Sequence, residues 1–301
     1  MRAVGSDPTA DRAAPAAQVL LEDGQGGTGF RMNTTPTNAW TPSLVGLDID
    51  GTLMHPSGHI SGQVLRAIDL ARAAGHHLVL ATGRSLAGLL PVAARLGLTD
   101  GYAVASNGAL TIRLDSDAPD GYRYVSAGLF DPNRVIRRAT QLAPDVCVAV
   151  EEPGRGWRVS GLFDPDALHG DQRRTSVTDL SAAQAIRVVL CGSGIGRHLD
   201  ALRTTGMTVT PAGPDWLDVT GIGVSKATAL ELLRTKLGVP DEATVAVGDG
   251  ADDVEALIWA ARGVAMGQAS ATVRWTADEV TGTIAEDGAA TVLASLVSPG
   301  H

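Results

Sequence analysis

Short, nearly unbroken apolar runs alternate with amphipathic stretches and glycine stops in two parts of the chain, about 43–112 and 222–301. Leu44-Val45-Gly46-Leu47 runs into Asp48-Ile49-Asp50-Gly51-Thr52, which predicts a buried strand entering a polar turn. Over 62–74, Val64, Ala67, Ile68 and Ala71 share one helical face, and Gly75 follows as a stop. His77-Leu78-Val79-Leu80-Ala81 predicts a second buried strand, 85–96 a helix stopped by Gly97, and Ala103-Val104-Ala105 a third strand. After the interval, Ser225 is placed to cap a helix carrying Ala229, Leu230, Leu233 and Leu237, closed by Gly238 and Pro240. Thr244-Val245-Ala246-Val247 predicts another strand, followed by a helix through Val254, Leu257, Ile258 and Ala261 that stops at Gly263. Strands that are apolar throughout, alternating with helices, predict right-handed βαβ units on a parallel sheet.

The interval 113–221 has a different texture. Apolar runs at Val146–Val150, Ile186–Leu190, Met207–Thr210 and Trp216–Val219 lie between Gly, Pro and Asp clusters, which suits an α+β unit with an antiparallel sheet. The expected organisation is therefore one α/β core, built from 43–112 and 222–301, with a second domain over 113–221 inserted into it. Residues 1–42 lack periodicity, are rich in Ala, Gly, Pro and Thr, and predict a disordered extension. Met32 inside it is a second candidate start.

Composition narrows the function. A net charge of −9 argues against nucleic acid or an anionic membrane as partner, because both need a basic surface. The two cysteines, Cys147 and Cys191, form neither a disulfide framework nor a zinc motif, and suit free thiols in a reducing cytoplasm. No apolar run reaches the ~18 residues of a membrane span, and none follows Arg2 and Arg12 as a signal peptide would.

The candidate chemistry lies at strand ends: Asp48 and Asp50, Thr82, Ser106 and Asn107, and Asp249. In an open parallel sheet these ends share one edge, where ligands bind. Asp48 and Asp50, two apart on extended chain, point the same way and repel unless a cation or a shared proton sits between them. Oxygen donors of this kind suit Mg²⁺. Thr82-Gly83-Arg84 offers a hydroxyl and backbone amides to an anion, or is a plain helix cap. Lys226 sits at a helix N-terminus, where the dipole disfavours a cation. It is either an exposed lysine or one that faces an anion such as the Asp48 carboxylate. Gly248-Asp249-Gly250-Ala251-Asp252-Asp253 gathers three carboxylates, which call for a metal or merely begin a helix. The His55, His59, His76 and His77 positions lack metal spacing. Gly192–Gly196 echoes a glycine-rich loop without the rest of a dinucleotide fingerprint. Trp157 and Trp216 suit core packing or a pocket wall.

Together these segments resemble the haloacid dehalogenase (HAD) superfamily, and within it the Cof-type (subfamily IIB) phosphatases. The resemblance rests on DIDGTL at 48–53, TGR at 82–84, SNGA at 106–109, VSKATAL at 224–230 and GDGADD at 248–253. VAMGQA at 264–269, ADEVTG at 277–282 and EDGAA at 286–290 extend it. It implies a doubly wound, Rossmannoid α/β core with an inserted α+β cap, and an Mg²⁺-dependent hydrolase of a small phosphorylated metabolite such as a sugar phosphate. By resemblance Asp48 is the nucleophile that forms an aspartyl-phosphate, and Asp50 is the general acid/base. The ion falls to Asp48, the Asp50 carbonyl, Asp249 and Asp253. Phosphate falls to the Ile49 amide, Thr82, Gly83, Lys226 and the Asp252 position, and the rest of the substrate to Arg84 and Asn107. Asp252 departs from the pattern, which has Asn there. Its side chain turns away, joins the metal shell, or weakens phosphate binding. The alternatives are a phosphohexomutase-like transferase and a catalytically silent phosphate-binding protein. The substrate and the oligomeric state stay open.

Overall fold

The computed structural model describes residues 17–20, 41–165 and 167–297, and counts and absences below refer to these residues. The 1–42 extension, expected to be disordered, lies outside them apart from Thr41, Pro42 and one strand, β1 (Ala17–Leu20). Next come β2 (Leu44–Leu47), α1 (Gly62–Ala73), β3 (His77–Ala81), α2 (Leu86–Arg95) and β4 (Asp100–Ala105). The antiparallel pair β5 (Leu110–Asp115) and β6 (Tyr122–Leu129) follows.

The intervening unit holds α3 (Asn133–Leu142), β7 (Cys147–Glu152), β8 (Gly156–Val159), β9 (Asp171–Arg174) and α4 (Val177–Ser181). It continues through β10 (Val188–Cys191), α5 (Leu199–Arg203), β11 (Thr208–Gly213) and β12 (Trp216–Thr220). The chain returns through α6 (Lys226–Leu237), β13 (Thr244–Gly248), α7 (Val254–Trp259), β14 (Arg262–Ala265), α8 (Ala271–Thr276), β15 (Glu279–Val280) and α9 (Gly288–Val297).

These strands form a nine-stranded sheet, β1-β6-β5-β4-β3-β2-β13-β14-β15, and a six-stranded sheet, β11-β12-β10-β7-β8-β9. In the first, β4-β3-β2-β13-β14-β15 run parallel, as the apolar runs predict. The expected insert boundary at 113 falls inside β5. β5 pairs with β4 and β6 with β5, so both stay in the large sheet and the second sheet begins only at Cys147. Antiparallel hairpins need no crossover and extend a parallel edge directly.

Alternation along β2 divides the core. Val45 and Leu47 pack with Val64, Ile68, Leu89 and Leu293 on one face, while Leu44 packs with Leu230, Leu233 and Leu257 on the other. Gly46 lets α6 lie close, since a Cβ there would stand 2.7 Å from Leu230 Cδ1. The expected helix face Val64, Ala67, Ile68, Ala71 is the buried face of α1. The helix expected through Ala261 ends earlier, at Trp259, and Ile258 is exposed. Gly263 is a strand residue rather than a stop, buried where a Cβ would meet the Leu257 carbonyl.

The second sheet also sorts by alternation. Val148, Val150, Val188, Leu190, Leu217 and Val219 pack under α3, α4 and α5. Glu151, Trp157, Trp216 and Asp218 fall on the opposite face, together with Arg187 just before β10. That face covers the C-terminal ends of β2 and β3.

Candidate active site

The carboxyl ends of β2, β3, β4 and β13 meet under the second sheet and enclose a cavity of about 630 Å³. Asp48, Asp50, Thr82, Asn107, Asp249 and Asp252 line it from the core. Trp157, His169, Arg187, Trp216 and Asp218 line it from above. Chain segments as far apart as Asp48 and Asp252 thus converge, as expected of an open α/β sheet.

Asp48 continues β2 and its amide donates to the Val247 carbonyl of β13 at 3.0 Å. The chain then turns sharply. The amides of Leu53 and Met54 donate to the Ile49 carbonyl, and Gly51 takes φ 81°. A Cβ on Gly51 would stand 2.2 Å from the Asp249 carboxylate, so the turn and the β13 loop fit only with glycine. Gln268 donates to the Gly51 carbonyl at 2.6 Å and ties this turn to the segment after β14.

Lys226 settles the two readings of its position. It opens α6, whose N-cap Ser225 forms a capping box with Thr228. The α6 terminus is pressed onto Gly108, where a Cβ would meet the Ser225 carbonyl. The ammonium is 1% exposed and reaches Asp48 Oδ1 at 2.8 Å, Asp252 Oδ2 at 2.7 Å and Asp253 Oδ1 at 2.6 Å. The dipole penalty at this helix end is outweighed by three carboxylates at contact distance. Asp253 also accepts the amides of Asp249 and Gly250 through Oδ2, at 2.9 and 2.8 Å, so it anchors the β13 loop.

Burial and charge act against each other here. Burial pushes the Asp48 carboxyl well above the usual range although Lys226 pulls it down. Burial likewise pushes Asp253 up to about 6, and raises Asp249. Burial also acts to raise Asp252, but Lys226 outweighs it and the carboxyl is held low. Burial would lower Lys226; the attraction of Asp252, Asp253 and Asp48 instead keeps it raised and charged.

The carboxylates group differently from the expected metal set. Asp48, Asp252 and Asp253 bring oxygens within 4.8 Å of one another. Asp249 stands apart from that trio, on the cavity wall by Thr52, whose hydroxyl donates to it at 3.4 Å. Asp50 turns outward into a bidentate pair with Arg84, at 2.6 and 2.7 Å. Of the two residues expected to reach substrate, Arg84 is thus engaged by Asp50, and Asn107 donates its amide to Asp218 at 3.0 Å. The Asp252 side chain does something outside the three expected outcomes: it pairs with Lys226 at 2.7 Å.

Six carboxylates (Asp48, Asp50, Asp218, Asp249, Asp252, Asp253) face three cations (Lys226, Arg84, Arg187). This excess of acidic groups opposes the entry of a phosphate dianion, and a further positive charge would offset it. The donors are all oxygen, which fits a hard divalent cation such as Mg²⁺.

Sequence reasoning did not single out Glu151, Arg187, Asp218, His169 or Gln268. Arg187 and Asp218 carried a signal: each is a charge set within an apolar run, a position that stays buried only with partners.

Comparison with known proteins agrees with this architecture. The sequence profile of haloacid dehalogenase-like hydrolases matches residues 45–125 and 194–293. The chain is 27% identical over 248 residues to the 5-amino-6-(5-phospho-D-ribitylamino)uracil phosphatase YcsE of Bacillus subtilis, covering 82% of this chain and 92% of the relative. It is 28% identical to a phosphoglycolate phosphatase of Natronomonas pharaonis, covering 80% and 92%. In fold it matches the HAD subclass IIB sugar phosphatase BT4131, with TM-score 0.72, 24% identity, and coverage of 84% and 98%.

Proposed function

Because the chain belongs to the haloacid dehalogenase-like hydrolases and is a phosphoric monoester hydrolase of small phosphorylated substrates, we propose that Asp48 is its nucleophile and that Mg²⁺ is required. The observation that carries this is the Asp48 carboxylate, buried at the strand end, opening on the cavity and held by Lys226 at 2.8 Å. An oxygen of Asp48 attacks phosphorus in line, the ester P–O bond breaks, and the leaving oxygen takes a proton from Asp50. Asp50 then removes a proton from water. The water oxygen bonds to phosphorus, and the aspartyl–phosphorus bond breaks to release phosphate. Asp50 can do this only once one arm of its Arg84 pair lets go.

Thr82, Gly83 and Lys226 would bind the phosphoryl oxygens. Asp48, Asp249 and the Asp50 carbonyl would hold the ion. Asp253, both of whose oxygens are engaged, would support it from outside. When bound, the ion supplies charge neutralisation for the incoming phosphate and the attacking carboxylate. We read the 131–221 unit as the cap, with Trp157 and Trp216 shielding the cavity from water.

The test is phosphate release from a panel of phosphorylated sugars, nucleotides and glycolate, with Mg²⁺ or with chelator. Release should require the ion. Asp48→Asn should abolish it, and Asp50→Asn should lower it sharply, because Asp50 serves both the acid and the base step. Turnover by Asp48→Asn would overturn the assignment.

A further inference from the structure

Two consecutive residues beneath the site, Ser106 and Asn107, take left-handed backbone, with φ 54° and 57°. For Ser106 this costs roughly 1–2 kcal/mol, while Asn is among the few side chains that tolerate it, so something must hold Ser106 there. Both side chains reach into the second sheet. Ser106 donates to Glu151 at 2.7 Å and Asn107 to Asp218 at 3.0 Å.

Asp218 also holds Arg187, which donates to both its oxygens through Nη2 (2.9 and 3.0 Å) and to Oδ1 through Nε (3.2 Å). Both residues are 5% exposed, and the guanidinium lies 5.4 Å from the Trp157 ring centroid. Burial opposes the Arg187 charge, and Asp218 and Glu151 outweigh it. A well-packed apolar pair would dock two domains as well as a buried ion pair does. Docking alone therefore does not account for an arginine here.

The remaining arm of Arg187 crosses to the core and donates to the Gly83 carbonyl. That carbonyl and the Arg84 amide belong to one rigid peptide plane, so fixing the first orients the second. The Arg84 amide in turn donates to Thr82 Oγ1 at 3.1 Å. With its oxygen accepting that bond, the Thr82 hydroxyl has its proton left to give. Thr82 lines the cavity beside Asp48.

We propose that Arg187 is a positioning residue for phosphate ester hydrolysis: from the second sheet it sets the Gly83–Arg84 peptide plane, and through it aims the Thr82 hydroxyl at a phosphoryl oxygen. This deepens the proposed reaction and rests on it. The phosphate site is then complete only while the second sheet lies over the core.

A double-mutant cycle between Arg187 and Thr82 tests it, with kcat/KM for a phosphorylated substrate found in the panel as readout. Thr82→Val should lower kcat/KM about 100-fold, the typical loss for one transition-state donor. Arg187→Gly should lower it by a similar factor, and the double variant should be little worse than either alone. Millimolar guanidinium should restore part of the activity of Arg187→Gly and none of that of Thr82→Val. Arg187→Lys, which keeps the charge but cannot span Asp218 and the Gly83 carbonyl together, should lose about tenfold. Losses that multiply in the double variant, or wild-type kcat/KM in Arg187→Lys, would overturn the positioning role alone. Turnover surviving in Asp48→Asn, run alongside, would overturn the reaction beneath it.

Discussion

Lys226 shows how one residue can look wrong locally and be required globally. At the first position of α6 it opposes the helix dipole, yet it neutralises three carboxylates at 2.6–2.8 Å. Lys226→Met should therefore strand Asp48, Asp252 and Asp253 as buried charges. The expected loss is about 3–5 kcal/mol, read by denaturant unfolding, together with loss of turnover. If Lys226 binds the phosphoryl group as proposed, Asp252 competes with phosphate for the same ammonium. Asp252→Asn should leave the enzyme active and make inorganic phosphate a stronger inhibitor by a factor of about five, or ~1 kcal/mol. Equal or weaker inhibition would mean that Asp252 does not stand in the way of phosphate.

Among elements, α6 matters most because it carries Lys226, and its seat depends on α7. Glu231 of α6 accepts from Arg234 at 2.7 and 2.8 Å and from the Trp259 indole of α7 at 2.9 Å. These bonds, Arg234 first, pull the Glu231 carboxyl to about 2, from an ordinary value of 4.5. A depressed carboxyl stabilises the fold above its unfolded-state value and loses that contribution as pH falls toward its folded-state value. Glu231→Gln should thus melt below the wild type at pH 7, and the gap should close as pH falls from about 4.5 toward 2. A gap that stays constant over that range would exclude an ionised Glu231 as its source. The α7 helix also shows where helical periodicity misleads. Ile258 and Ala261 fit the spacing, but the chain leaves the helix at Trp259 because β14 must start at Arg262 to pair with β13.

At the scale of the whole molecule, an acidic protein must accept an acidic substrate. The net charge of −9 repels a phosphate dianion at long range, and salt screens that repulsion. Raising ionic strength from about 10 to 150 mM at saturating Mg²⁺ should lower KM, the reverse of a basic cleft; a KM that rises would point to net positive steering. The α/β alternation, the buried face of α1 and the strand-end acids were legible along the chain, because local periodicity and turn chemistry are written in neighbouring residues. The edge of the inserted unit was not, because β5 and β6 differ from insert strands only in what they pair with. Nor was the pairing of Arg84 with Asp50, or of Asn107 with Asp218, since each joins residues far apart. By itself the sequence determined which residue types stand at each strand end, and so that this edge of the sheet is acidic. Only the tertiary structure decided which carboxylates share Lys226, which arginine crosses between sheets, and which peptide plane it holds. Those are matters of distance, and distance between remote segments is set by packing.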